Sequence, residues 1–293
     1  MKLSYYPGCS LHGTSREYNG SFRAMCEHLG IELEELPDWN CCGASSAIVV
    51  DHDLSVALPA RNLVQAEQMG LDVAVPCAAC YNRLKSAQKS LRDEEGIAER
   101  LADVLPVLPS GTTRVLNALE LLVEIVGLEA LQERATMPLT GLKPAAYYGC
   151  LLVRPPDVCQ FDDPENPTTM ERVLTALGAE PVTWYAKTDC CGASLATTRR
   201  DIVMTMCAQI AGRARREGAN CLAVVCPLCH VNLDSRQPRK MDWEPGEIPE
   251  PLPVFYISEL VGLALELTPT ELELGRHLVD TRPLLTSLGL WRD

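Results

Sequence analysis

Fourteen cysteines stand in this chain of 293 residues, and ten of them fall into two copies of one spacing. Cys9 is followed by 31 residues, the adjacent pair Cys41–Cys42, 34 more residues, and Cys77-Ala-Ala-Cys80. Cys150 is followed by 39 residues, the pair Cys190–Cys191, again 34 residues, and Cys226-Pro-Leu-Cys229. The equal gap of 34 and the shared string Cys-Cys-Gly-Ala-Ser at 41–45 and 190–194 mark a tandem duplication of about 145 residues. Tyr5-Tyr6-Pro7-Gly8-Cys9 parallels Tyr147-Tyr148-Gly149-Cys150, and Leu29-Gly30 parallels Leu177-Gly178. Whatever the first half folds into, the second must build again with cysteines in the same places.

Within each copy, strand and helix patterns alternate. Residues 2–6 predict a strand, 15–29 a helix stopped by Gly30, and 31–36 a strand, after which loop 37–40 delivers Cys41–Cys42. A helix over 53–69 ends at Gly70, and a strand over 72–75 ends at Pro76-Cys77. The second copy predicts strand 144–148, helix 171–177, strand 180–185, helix 202–216 and strand 221–225. An apolar strand and helix close each copy, near 104–125 and 254–267. Such alternation implies an α/β protein of two tandem, pseudo-symmetric Rossmann-like domains with mostly parallel sheets. The expected division is 1–138 and 139–293, within the connector 134–143 that carries Pro138 and Gly141. Every cysteine of the repeat falls at or after a strand's C-terminal end, where open α/β sheets place their sites. The five prolines at 238, 245, 249, 251 and 253 predict a long surface loop.

Composition narrows the chemistry. A formal charge of −13 argues against nucleic acid, whose phosphates need a basic face. The opening MKLSYYPGC lacks the apolar core of a signal peptide, and no apolar run approaches 18 residues. The expectation is a cytoplasmic protein without a membrane span, and in a reducing cytosol its cysteines read as metal or redox ligands rather than disulfides. A Cys-x-x-Cys alone is shared by zinc sites, iron–sulfur sites and thioredoxin-like motifs. Adjacent cysteines say more, because neighbouring side chains diverge in extended structure and most naturally reach different metal atoms. Zinc takes four ligands and a cubane 4Fe-4S cluster also takes four, whereas each copy offers five. Iron–sulfur clusters lead on this count, with structural zinc as the rival.

On these motifs the whole chain resembles the tandem CCG, or cysteine-rich, domains of the B component of heterodisulfide reductase. The resemblance implies two 4Fe-4S clusters of non-cubane type. Cys9, Cys41, Cys42, Cys77 and Cys80 would hold one; Cys150, Cys190, Cys191, Cys226 and Cys229 would hold the other. It implies a catalytic subunit that reduces a disulfide, or oxidises thiols, between the two clusters. It also implies a ferredoxin-like iron–sulfur partner, resembling the C component of heterodisulfide reductase, and through it a flavin subunit. This chain itself carries no Gly-x-Gly-x-x-Gly nucleotide fingerprint. The alternative is an electron-transfer CCG subunit of a succinate-, glycolate- or lactate-type dehydrogenase linked to quinone. The lack of a ferredoxin-type Cys-x-x-Cys-x-x-Cys run favours a separate relay subunit. A zinc-stabilised interaction module is a third class.

A thiolate product needs a proton, and His12 and His230, close to Cys9 and Cys229, are candidate donors against the plainer reading of solvated or capping histidines. Arg154 is a candidate for an anionic substrate group, against a surface salt bridge. Cys26, Cys207 and Cys221 read as small core residues. Cys159, in an apparent loop after Cys150, reads as more exposed. Ten thiolates and two 2+ cores would take the charge from −13 to about −19, so arginines or oriented amides should lie near the sites.

Overall fold

The computed structural model describes residues 1–44, 46–237 and 250–292. Each half carries one wholly parallel sheet. In the first, β1 (Lys2–Tyr5), β2 (Glu32–Glu35), β3 (Val73–Ala74) and β4 (Val115–Leu116) lie in the order β2-β1-β3-β4. In the second, β5 (Pro144–Tyr147), β6 (Cys221–Val224) and β7 (Val254–Tyr256) lie in the order β5-β6-β7. The α/β, Rossmann-like organisation expected from the repeat is therefore present twice. Strands β5 and β6 are buried along their whole length, as parallel strands covered on both faces should be. Edge strand β2 instead alternates, and Lys2 of β1 pairs with its outward Glu32 and Glu34 at 3.1 and 2.8 Å. Charged side chains of this kind guard an edge against foreign strands.

The helices follow their local signals. Asp51 caps helix His52–Met69 by accepting from the Leu54 amide at 2.7 Å, and Gly70 ends it in the left-handed conformation. Helix Arg16–His28 buries Tyr18, Phe22, Met25 and Cys26 on one stripe. That stripe packs across the molecule against helix Ile257–Ala264 of the other half, where the Ser21 and Ser258 hydroxyls meet at 2.9 Å. The connector is packed as well: the Leu139 amide donates to Leu177 O at 2.9 Å and Met137 to Ala264 O at 3.1 Å. Among the described residues no helix is long and apolar enough to cross a membrane.

Two expectations need correction. Residues 180–185 run beside β5 but do not form a strand. Glu180 and Val182 donate to Leu142 O and Pro144 O at 2.8 and 3.0 Å, and then the Trp184 indole, not a backbone amide, takes Ala146 O at 2.9 Å. A side chain replaces the next rung, so the ladder stops. Second, Cys159 is buried at the end of the short helix Pro156–Cys159, where the Asn82 amide donates to its sulfur at 3.3 Å. The Cys-x-x-Cys motifs, placed after strands as expected, open helices Ala78–Asp93 and Pro227–Ser235. Cys26, Cys207 and Cys221 are buried, as expected of core thiols. Pro238, Pro245 and Pro249 of the predicted loop lie outside the described residues.

Candidate metal centres

In the first sheet the cysteines gather where the strand order reverses. Between β1 and β3, chain connections leave in opposite directions and open a crevice at the strands' C-terminal ends. Cys9, in helix Gly8–His12, follows β1, and Cys77 follows β3 as the cap of helix Ala78–Asp93. Cys150 and Cys226 take the equivalent places after β5 and β6. The adjacent pairs arrive on loops tied by one device in both halves. Tyr6 donates its hydroxyl to Asn40 O at 2.8 Å, one residue before Cys41, and Tyr147 donates to Asp189 O at 2.6 Å, one residue before Cys190.

Within each set the sulfurs approach one another. Cys42 and Cys80 stand 3.3 Å apart, as do Cys191 and Cys229, and Cys41 lies 3.9 Å from Cys9. The backbone leaves room for this crowding. Gly8 and Gly149 both have positive φ, and a Cβ there would come within 2.9 Å of the Cys80 sulfur and 3.1 Å of the Cys229 sulfur. Cys9, Cys41 and Cys190 face solvent, Cys150 is half-buried, and the other six are buried. Tyr18, from the interdomain helix, points its hydroxyl at Pro76 O and Val225 O, at 3.1 and 3.3 Å. Those residues immediately precede Cys77 and Cys226, so one buried side chain touches the backbone of both sets. The two sets meet there, and the thiols of Cys77 and Cys226 shift each other's ionisation in opposite directions.

Such crowding separates the thiols electrostatically. Neighbouring Cys42 and Cys9 thiols lower Cys41 to about 2, and the Cys150 thiol with the Gly192 amide lowers Cys190 to about 6. Their partners move the opposite way: Cys9 and Cys150 are raised, and Cys42 is raised to about 11. Cys226 is held low by the Cys229 and Cys77 thiols and by the Cys229 and Leu228 amides at its helix start. Five clustered sulfurs cannot all be thiolates without added positive charge. An all-sulfur donor set, buried and cleared by glycine, suits a thiophilic polynuclear centre. Among the described residues no three His, Cys, Asp or Glu side chains converge as a site for a single metal ion. A cavity of about 200 Å³ lies between the halves, with Ala44, Ala78 and Ala79 on one side and Cys150, Cys190 and Cys226 on the other.

The other nominated residues lie elsewhere. His12 pairs with Glu35 at 3.1 Å and meets the edge of Trp39 near the surface. His230 is buried, donating its Nε2–H to Val254 O at 3.0 Å, and stacked at 4.0 Å on Tyr256. Burial lowers its pKa well below the ordinary value, so it is neutral. Arg154 turns to Thr188 and Glu165 at 2.9 and 2.8 Å. No Lys, Arg or His side chain is among the described residues lining the inter-half cavity. Two groups near the cysteines escaped the sequence reading. Half-buried Arg83 lies within electrostatic reach of Cys42, and Asn232, its counterpart by position after Cys-x-x-Cys, donates to Cys191 O at 3.0 Å. Their place one helical turn past each motif was the available signal. Tyr18 carried none, because its two acceptors lie far away in sequence.

The CCG family pattern, a cysteine-rich domain, matches residues 3–85 and 145–234. The 8-methylmenaquinol:fumarate reductase membrane anchor subunit of Wolinella succinogenes is 34% identical over 286 residues, spanning 97% of this chain and 99% of that protein. The B component of the ferredoxin/F(420)H(2)-dependent CoB-CoM heterodisulfide reductase of Methanosarcina acetivorans is 28% identical, over 98% of this chain and 97% of that one. A protein of Archaeoglobus profundus named as like the B component of heterodisulfide reductase is 26% identical over 92% of each. A crystal structure of a hypothetical protein from Helicobacter pylori aligns with a TM-score of 0.67 at 12% identity. It covers 96% of this chain and 52% of that one, so this chain spans about half its length and the likeness is one of fold. With both halves matched, the chain belongs to the CCG cysteine-rich domain family.

Proposed function

We propose that this chain is the two-cluster iron–sulfur subunit of a multisubunit reductase. Cys9, Cys41, Cys42, Cys77 and Cys80 would hold one four-iron cluster and Cys150, Cys190, Cys191, Cys226 and Cys229 the other. The observation that carries this reading is the meeting of the two five-cysteine sets, where the Tyr18 hydroxyl reaches Pro76 O and Val225 O, the residues before Cys77 and Cys226. Five thiolates exceed the four of a cubane, which supports a non-cubane cluster in each half. Such clusters supply one electron apiece. The chain's own residues do the rest: Gly8 and Gly149 clear space for the sulfurs, helix amides steady the thiolates, and Tyr18 fixes both Cys-x-x-Cys motifs to one hydroxyl.

For the reaction itself, two routes fit. In the first, a disulfide seats in the apolar cavity between the sets; two electrons and two protons cleave it to two thiols, one electron coming from each half. The relatives named for the B component of heterodisulfide reductase support this route, with a ferredoxin-like iron–sulfur subunit and a flavin subunit as electron partners. In the second, the clusters carry electrons to or from a quinone. The 34% identical relative, named for menaquinol and fumarate, supports that route.

Anaerobic purification followed by iron, sulfide and zinc analysis tests the common part. About eight irons per chain are expected; zinc without iron would overturn it. Adding a disulfide or a menaquinol to the complex then separates the routes. A new paramagnetic signal with the disulfide favours the first, and cluster reduction by menaquinol alone favours the second.

A further inference from the structure

The two halves repeat one groove, and among the described residues only one of them is filled. Alignment on Cys-x-x-Cys sets Lys85 and Gln88 of helix Ala78–Asp93 against Asp234 and Gln237, which lie five and eight residues beyond Cys229. Alignment on the last strand sets Val115 against Val254 and Glu120 against Glu259. The contacts agree with this pairing. Gln88 donates to Thr113 O at 2.9 Å and Gln237 donates to Leu252 O at 2.6 Å. Glu120 caps the Asn117 amide and Glu259 the Tyr256 amide, both at 2.8 Å.

In the second half, residues 277–279 lie in this groove. His277 pairs with Glu259 at 2.8 Å, and the Leu278 and Val279 amides donate to Asp234 at 2.7 and 2.9 Å. Even the outward carbonyl of β7, Val254 O, is taken, by His230 at 3.0 Å. In the first half the corresponding space is a cavity of about 580 Å³, bounded by Lys85, Arg92, Arg114, Val115 and Glu120. Strand β4 is the edge of its sheet. Val73 and Val75 donate to the Arg114 and Leu116 carbonyls, so the N–H and C=O of the intervening Val115 face the open side. An edge of this kind accepts an added strand.

We infer that this groove is a docking site for an extended, carboxylate-bearing segment of a partner subunit. The pseudo-equivalent groove supplies the shape of the occupant, a short extended stretch of chain. The charge differs. Where Asp234 accepts two backbone amides, Lys85 has only donors to offer, its ammonium held 5.9 Å from the Tyr81 ring centroid. Arg92 and Arg114 add cations at the rim, although Arg114 is paired with Glu124 and Arg92 with Asp93 at 2.7 Å. Lysine in place of aspartate reverses the recognition, from amide donors to carboxylate or carbonyl acceptors.

The test uses the purified native complex and the full chain alone. Hydrogen exchange of the Val115 amide should slow at least tenfold in the complex, and a photo-crosslinker placed at Arg92 should join a contiguous segment of another subunit rich in Asp or Glu. Lys85→Glu should abolish that crosslink and weaken the complex at least tenfold, while Lys85→Arg keeps both. Unchanged iron content in Lys85→Glu shows that the fold and the cysteine sites are intact, so a failed cluster assignment and a failed groove assignment read out separately. Equal Val115 exchange with and without partners, crosslinks confined to this chain, or a crosslinked segment lacking carboxylates would overturn the inference.

Discussion

Glu120 and Glu259 occupy the same place in the two halves, cap the same kind of helix start, and live in different surroundings. Glu259 is buried against His277, which the last part of the chain brings back 18 residues later. Burial works against a charged imidazole at His277, yet the Glu259 carboxylate overcomes it and raises the pKa to about 9. Glu120 has no paired cation, only the more distant charge of Lys85; it accepts from Tyr81 and Asn117, and burial raises it to about 7. Duplication fixed the cap, while divergence at the chain end fixed its charge state. A repeated motif predicts geometry better than it predicts electrostatics.

The comparison is most strongly tested at the cysteines. Cys77→Ala and Cys226→Ala should each retain about half the iron of the parent if the two sites load independently, as measured by metal analysis after anaerobic purification. Loss of all iron in either variant would show that the facing sets assemble as one. Next comes the buried pair. His277→Ala leaves Glu259 buried without its cation and should cost about 3–5 kcal/mol in a denaturant titration. The pH dependence has a definite sign. A folded pKa raised from 6.5 to about 9 gives a stabilisation fully present below pH 6.5 and lost as pH rises through 9. The variant should lack that slope.

Glycine substitutions should separate the halves by a smaller amount. Gly8→Ala and Gly149→Ala both place a Cβ at positive φ, and each should cost about 1–3 kcal/mol of thermal stability. Gly8→Ala should be the worse, because its Cβ would lie 2.9 Å from a cysteine sulfur against 3.1 Å for Gly149. The last effect belongs to Glu120. Its raised pKa means that stability is present below about pH 4.5 and lost as pH rises through 7. Glu120→Gln should flatten that profile between pH 5 and 8, and an unchanged profile would mean that the carboxylate stays hydrated.

Much of this molecule was legible residue by residue. Gly30 and Gly70 ended their helices as anticipated, and the alternation of patterns foretold the parallel sheets. The failures share one cause. At 180–185 the residues have strand character, yet the third rung is made by the Trp184 indole, a choice that depends on how that ring packs over β5. Cys159 looked like a loop thiol because its cover, Asn82 and Tyr81, comes from the other half. Arg154 looked available for an anion until Thr188 and Glu165 folded onto it.

The amino-acid order alone determined that there are two equivalent halves, that each carries five cysteines in one spacing, and that the chain belongs with tandem cysteine-rich domains. Those features are written in spacing, and spacing is local. Tertiary structure alone decided that the two sets meet beside Pro76 and Val225, that Tyr18 joins them, and that among the described residues one groove is filled while its twin stays open. Each of these rests on groups brought together from opposite halves or from the chain end. Contacts of that range are fixed by how two packed surfaces fit, a property that no stretch of sequence carries by itself.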